Sequence, residues 1–133
     1  DLVTRKLGFE DGAVFAALMA DVARDSADEP ALQALATACA DIGQWMRSDA
    51  SLDDRLAGSV PFCTMCAVAV AGWQMLKQKR AVEAGRSPVL AATKPVTARF
   101  FLDHIVTEAA GLKPSATAGA GLLYELTADQ LAS

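Results

Sequence analysis

The chain has 133 residues, of which 53% are hydrophobic and 21% are charged. These proportions are typical of one well-packed globular domain and exclude a disordered chain. The 12 basic and 16 acidic side chains give a net charge of −4, and no basic stripe is interleaved with aromatic residues. We therefore expect no binding to nucleic acid.

The cysteines and the first residues both bear on where the chain works. The chain has three cysteines, and two of them lie in one apolar run. This odd number favours reduced thiols and a location in the cytoplasm. The sequence starts at Asp1 with no methionine, basic segment or signal peptide. We expect residues 1–133 to be a single cytoplasmic domain, cut from a longer protein.

The first half of the chain predicts two amphipathic helices. The first covers about Glu10–Arg24, and the second starts at Asp28-Glu29-Pro30, where an acidic cap precedes a proline in the first turn. The inward residues of the first are Val14, Phe15, Leu18, Met19 and Val22. Those of the second are Leu32, Leu35, Cys39, Ile42 and Met46, with Trp45 at the edge.

A short capped turn and a long apolar helix follow. Ser51 and Asp54 have the spacing of a capping box for a turn that Gly58 would end. The run Val60–Leu76 predicts a helix buried on every side, which continues with a basic cluster to a stop at Gly85. Bilayer-spanning helices need about 17–25 residues, so this run is at the short limit. Polar and helix-breaking residues interrupt it, and we expect a core helix and no membrane span.

The last long helix follows a loop at Arg86–Ala92. It begins near Thr93 or Pro95 and runs to about Gly111, and Pro114 should kink or end it. Its predicted inward residues are Ala98, Phe101, Leu102, Ile105, Ala109 and Leu112. Thr127 and Gln130 match a second capping box. Together the elements predict an all-α domain, an antiparallel four-helix bundle-like fold.

The three cysteines are candidates for chemistry. Cys63 and Cys66 form a CxxC motif. A thioredoxin-like redox unit would require a strand before this motif, and the sequence predicts none there. A zinc site would need Cys39 and His104 as further ligands. The favoured interpretation is that all three cysteines fill small core positions, as free cysteines often do. We therefore expect no metal ligands in the chain. We also expect no catalytic residues, because no Ser/His/Asp or Cys/His arrangement stands out in the sequence.

The outer side of the last long helix carries a cluster of special residues. Arg99 and Asp103 are four residues apart, as are His104 and Glu108, so each pair shares a helix face. Phe100 lies on the side of His104, away from the apolar stripe. Arg99, Phe100 and His104 thus form a possible docking surface; ordinary solvent-exposed surface is the alternative.

Three segments carry a resemblance to a known family. They are VAVAGWQML at Val68–Leu76, KPVTARFFLDHIVTEAAGL at Lys94–Leu112, and SATAGA at Ser115–Ala120. This pattern resembles the extra C-terminal helical domain of a branch of the acyl-CoA dehydrogenases, which includes fatty acyl-CoA and methylmercaptopropionyl-CoA dehydrogenases. The match is strongest over the second half of the chain.

The resemblance implies a parent flavoprotein of fatty acid metabolism. Such enzymes use FAD to dehydrogenate acyl-CoA thioesters between Cα and Cβ and pass electrons to an electron-transfer flavoprotein. Their flavin site and catalytic glutamate belong to a preceding core, so no cofactor is expected in this chain. The resemblance also implies packing on that core or a neighbouring subunit, in a homo-oligomer. The alternative is a stand-alone helical module for protein interaction or dimerisation.

Overall fold

The computed structural model describes residues 1–86 and 88–133. These residues form helices and turns without a strand, which confirms the all-α class. The helices are α1 (Ala13–Asp25), α2 (Pro30–Ser48), α3 (Leu52–Ala57), α4 (Ser59–Glu83), α5 (Lys94–Phe100), α6 (Val106–Ala110), α7 (Lys113–Thr117) and α8 (Ala128–Ala132). Ser87, in the predicted loop, lies outside the described residues.

The core lies between four helical segments, each of which packs against the next one along the chain. Helix α1 packs on α2, α2 packs on α4, and α4 packs on the helix formed by α5 and α6. The predicted stripe of α2 is confirmed, because all five of its residues are buried. These pairwise contacts agree with helix-on-helix layering, and the antiparallel bundle arrangement stays a prediction.

Helix α1 begins later than its periodicity predicts. Glu10, Asp11 and Gly12 have φ angles of 49°, 54° and 85°, which lie in the left-handed region and interrupt a right-handed helix. The helix therefore starts at Ala13. Of its predicted inward residues, Met19 and Val22 are buried and Phe15 is partly buried. Val14 and Leu18 are exposed, so their inward placement was wrong.

Helix α4 confirms the predicted long helix but corrects its burial. Phe62, Met65, Cys66, Ala69, Gly72 and Leu76 are buried. Val60 is 75% exposed, and Cys63 and Ala67 are also exposed, so the helix is not buried on every side. Alanine and valine on its outer side raise its hydropathy without being covered. Helix α4 is long and apolar enough to cross a membrane. The core helices of soluble proteins also meet this criterion of length and composition.

A π turn changes the inward face of the last long helix. Phe101–Ile105 connects α5 to α6 in one continuous helix, and the Val106 N–H donates to the Phe101 carbonyl. This wider turn advances the phase by about one residue. Val106 is therefore buried, whereas Phe101 and Ile105 are only half-buried.

The ends of the short helices follow local sequence signals. Both predicted capping boxes are present, Ser51 with Asp54 and Thr127 with Gln130. The long helix ends at Ala110, and Pro114 lies in the first turn of α7. Pro114 therefore starts a new helix, where its missing N–H is harmless, and it does not kink the long one.

Gly58 sets the contact between the α3–α4 corner and α7. A Cβ atom built there would lie 2.2 Å from the carbonyl oxygen of Ala116. We predict that Gly58→Ala lowers the free energy of unfolding by about 1–3 kcal/mol, because a backbone atom must move. Urea titration measures this loss. Gly8→Ala is the control, since nothing lies within 4 Å of a Cβ at Gly8; equal stabilities of the two variants would contradict the prediction.

Candidate docking surface

An apolar groove lies on the outer side of α5 and its π turn. Phe100 is 58% exposed and Val96 is 69% exposed. The Phe100 and His104 rings are 4.8 Å apart between centroids, which confirms that the two share a side. With Lys79, Pro95, Arg99 and Asp103 they line an open groove of about 510 Å³, which we call the Phe100 groove. Its lining combines apolar side chains with the charged side chains of Lys79, Arg99 and Asp103.

Arg99 is held by two carboxylates of this chain. Its guanidinium donates to both oxygens of Glu29 at 2.9 Å, and its Nε donates to Asp103 at 2.9 Å. The side chain of Glu29 is only 12% exposed. Hydrogen bonds to Glu29 first, and then to Asp103, raise the pKa of Arg99. Arg99 therefore forms a fixed wall of the groove that joins α5 to the start of α2.

His104 has a different neighbour from the one its spacing suggested. Among the described residues, its imidazole packs against Phe100, and no hydrogen bond or ion pair joins it to Glu108. The π turn lies between α5 and α6 and alters the phase of the α-helical spacing. π turns occur frequently at functional sites, and this one contains His104.

The cysteines take two different environments. Cys39 and Cys66 are buried, as predicted, whereas Cys63 is exposed, so its core placement was wrong. The hydrogen bond between the Cys66 thiol and Cys39, together with burial, raises the pKa of Cys66. A neutral thiol is a poor nucleophile and a poor metal ligand. Within residues 1–86 and 88–133, no group of three or more His, Cys, Asp or Glu residues is placed to hold a metal ion.

The Gly72-Trp73 pair has a structural role. A Cβ at Gly72 would lie 2.9 Å from Leu32 Cδ1 and 3.3 Å from Val106 Cγ2, so the glycine permits close helix packing. The Trp73 indole N–H donates to the Asp25 carboxylate at 3.0 Å. This bond is the main reason that the pKa of Asp25 is lowered. The pair therefore connects α4 to α2, to α6 and to the end of α1.

The small-residue segment after α7 is attached through Asp54. Gly119 has a φ of 74°, a turn that few other residues adopt. The next N–H, of Ala120, donates to Asp54 Oδ1 at 2.8 Å, and Ser51 donates to the other oxygen. The bond from Ala120 is the main cause of the lowered pKa of Asp54. This contact fixes where the last residues leave the core.

Two further exposed apolar surfaces were missed by the sequence interpretation. One is the C-terminal arm, residues 121–133, which carries five exposed large apolar side chains. The other is the mostly apolar α4 flank, which we define by the exposed residues Val60, Cys63, Thr64 and Ala67 together with the half-buried Val68. The segment GLLYEL at residues 121–126 could have indicated the exposed arm, because its apolar residues lack the three-and-four spacing of a helix that packs on a core.

Comparison with known protein families gives a match over most of the chain. Residues 15–127 match the family described as acetyl-CoA dehydrogenase C-terminal like. The chain belongs to this family of C-terminal domains of acyl-CoA dehydrogenases. No curated protein and no solved structure matches the chain.

The ion pair between Arg99 and Glu29 predicts a measurable stability difference. Arg99→Ala leaves the largely buried Glu29 carboxylate with Lys79, 4.0 Å away, as its remaining ion-pair partner among the described residues. Charge-assisted hydrogen bonds are worth about 1.5–3 kcal/mol, and partial exposure of Arg99 reduces this, so we expect a loss of about 1–2 kcal/mol. Chemical denaturation tests it. Arg5→Ala, which removes an exposed pair with Asp1, is the control and should cost under about 1 kcal/mol.

The Asp54 carboxylate predicts a pH-dependent contribution to stability. Its folded pKa is lowered, so its contribution is present above the ordinary value of 3.8 and is lost as the pH falls through the folded pKa. We expect the stability difference between the natural chain and Asp54→Asn to shrink over that acidic range. Denaturation at a series of pH values measures it. Asp53→Asn changes an exposed acid in the same helical turn; the same pH dependence in this variant would contradict the assignment.

Proposed function

We propose that this chain is the accessory C-terminal domain of an FAD-dependent acyl-CoA dehydrogenase. In this proposal, the preceding catalytic core of the parent chain binds FAD and performs the α,β-dehydrogenation of an acyl-CoA thioester. Electrons then pass to an electron-transfer flavoprotein. The domain itself is not catalytic, and the parent enzyme works in the cytoplasm. Family membership over residues 15–127 supports the accessory role.

The proposed contact with the catalytic core uses the Phe100 groove. The observation that carries this part is a large aromatic side chain, 58% exposed, packed at a tilt against His104 in a groove that other apolar side chains also line. Aromatic residues are enriched at protein interfaces, where they supply contact area at low entropic cost. Arg99 is already held by Glu29 and Asp103, so the groove offers a rigid surface with little ordering left to lose.

The groove chemistry defines what the partner surface should present. Val96, Pro95 and Phe100 favour an apolar side chain, and the outward edge of His104 favours a hydrogen-bonding group. The partner can be the core of the same chain or of a neighbouring subunit, because the parent is proposed to be a homo-oligomer. In both cases the domain acts by fixing the position of a flavin-bearing core.

The test uses the full-length product of the native gene. We expect flavin absorbance that acyl-CoA bleaches, together with slower hydrogen exchange of the amides at 96–104 than in residues 1–133 alone. Phe100→Glu should restore fast exchange at these amides, because it places a charge in the contact. Val14→Glu is the control, since Val14 is 48% exposed on α1 and lies outside the groove.

The alternative, a stand-alone interaction or dimerisation module, is distinguished in the same experiment. A native gene without an upstream flavin-binding region would contradict the accessory role. Flavin binding or turnover by residues 1–133 alone would contradict the statement that the domain is inert.

A further inference from the structure

The C-terminal arm leaves its large apolar side chains uncovered. Leu122 is 80% exposed, Tyr124 71%, and Leu126 54%. Leu123 and Leu131 are similarly exposed. Single exposed leucines are normal on a protein surface, but five large apolar side chains within ten residues are a patch that needs a partner. The arm begins immediately after Ala120, whose N–H is held by Asp54.

The α4 flank is an uncovered apolar surface close to the root of that arm. Val60 and Cys63 line a hollow of about 340 Å³ with Leu2 and Val3. Thr64 belongs to this hollow and also to a second one of about 210 Å³, which runs along Val68, Ile105 and Leu112. The flank begins two residues after Gly58, and Gly58 contacts the carbonyl of Ala116 just before the arm. The arm root and the flank are therefore neighbours.

The arm is acidic, and one end of the flank carries the opposite charge. Residues 114–133 contain Glu125 and Asp129 and no basic side chain. At the Asp1 end of the flank, Arg5 and Lys6 both pair with the one carboxylate of Asp1, which leaves an excess of positive charge there. Glu108 lines the other end. Opposite charge favours an arm whose acidic residues lie toward Arg5 and Lys6.

The available area favours a reciprocal contact. At roughly 100 Å² for each large apolar side chain, one arm offers about 500 Å² of accessible surface. Counted on both partners, the contact of one arm with the surface that it covers therefore buries about 1,000 Å². That is only the lower limit for a specific interface, whereas two such contacts reach the usual range of about 1,200–2,000 Å². A two-fold pair uses the same two surfaces twice and closes without leaving either free.

We infer that two copies of this chain exchange their C-terminal arms, each arm covering the α4 flank of the other copy. The inference goes beyond the proposed function because it uses neither Phe100 nor His104. Its failure is distinguishable from a failure of the accessory role, since the variants that test the two lie on different surfaces.

Sedimentation of residues 1–133 over a hundredfold concentration range tests the dimer. We expect Leu123→Asp on the arm and Val60→Asp on the flank each to weaken dimerisation by more than about tenfold, because each places a charge in an apolar contact. Both side chains are exposed, so neither variant threatens the core. Val89→Asp is the control, since Val89 is 89% exposed and lies outside both surfaces.

Cross-linking through Cys63 tests which arm covers which flank. Tagged copies carrying Leu123→Cys and Cys63→Ser are mixed with untagged natural copies and treated with a short bis-maleimide. The expected product has the summed mass of one tagged and one untagged copy. Gln44→Cys, exposed on α2, replaces Leu123→Cys in the control and should not give this product.

Three results would overturn the inference. The first is sedimentation of the natural chain as a monomer at every concentration, and the second is a dimer that Leu123→Asp leaves unchanged. The third is a cross-linked product of monomer mass only, from a chain with both Leu123→Cys and natural Cys63. That product would show the arm folded back on its own flank.

Discussion

Close packing of three helices at Gly72 is the contact on which the rest of the fold depends. Leu32 from α2 and Val106 from α6 both approach the place where a side chain would begin. Because protein interiors pack as densely as organic crystals, even one methyl group at such a point must displace a neighbour. The next residue, Trp73, then reaches Asp25 at the end of α1. One dipeptide thus brings together every long helix of the domain.

The features that depend on local periodicity were predictable from the sequence. The stripe from Leu32 to Met46 and the Ser51–Asp54 capping box each need only a few neighbouring residues, and both are present. The pairing of Arg99 with Asp103 and the shared side of Phe100 and His104 follow from a spacing of four. For the same reason, the prediction of an all-α domain succeeded.

The features that depend on distant partners were not predictable. Glu29 and Arg99 are 70 positions apart, so their pairing requires knowledge of how α2 meets α5. Hydropathy records the composition of α4 but not which neighbours cover it, and for this reason the exposure of Val60 and Cys63 was missed. The π turn at Phe101–Ile105 departs from the 3.6-residue period on which the sequence prediction rests, so that period cannot anticipate it.

The π turn also has a consequence for how the length of this chain can change. It holds one more residue than an α-helical turn, so deleting an exposed residue such as Asp103 would restore the regular ladder of hydrogen bonds. Because the wider turn absorbs the extra residue locally, the helix on either side would keep nearly its present direction, and Phe100 would stay on the same face. The same deletion within α5 or α6 would instead rotate one side of the helix by about 100° relative to the other. The turn is therefore a place where this helix can lose a residue and still keep Ala98, Leu102 and Val106 in the core.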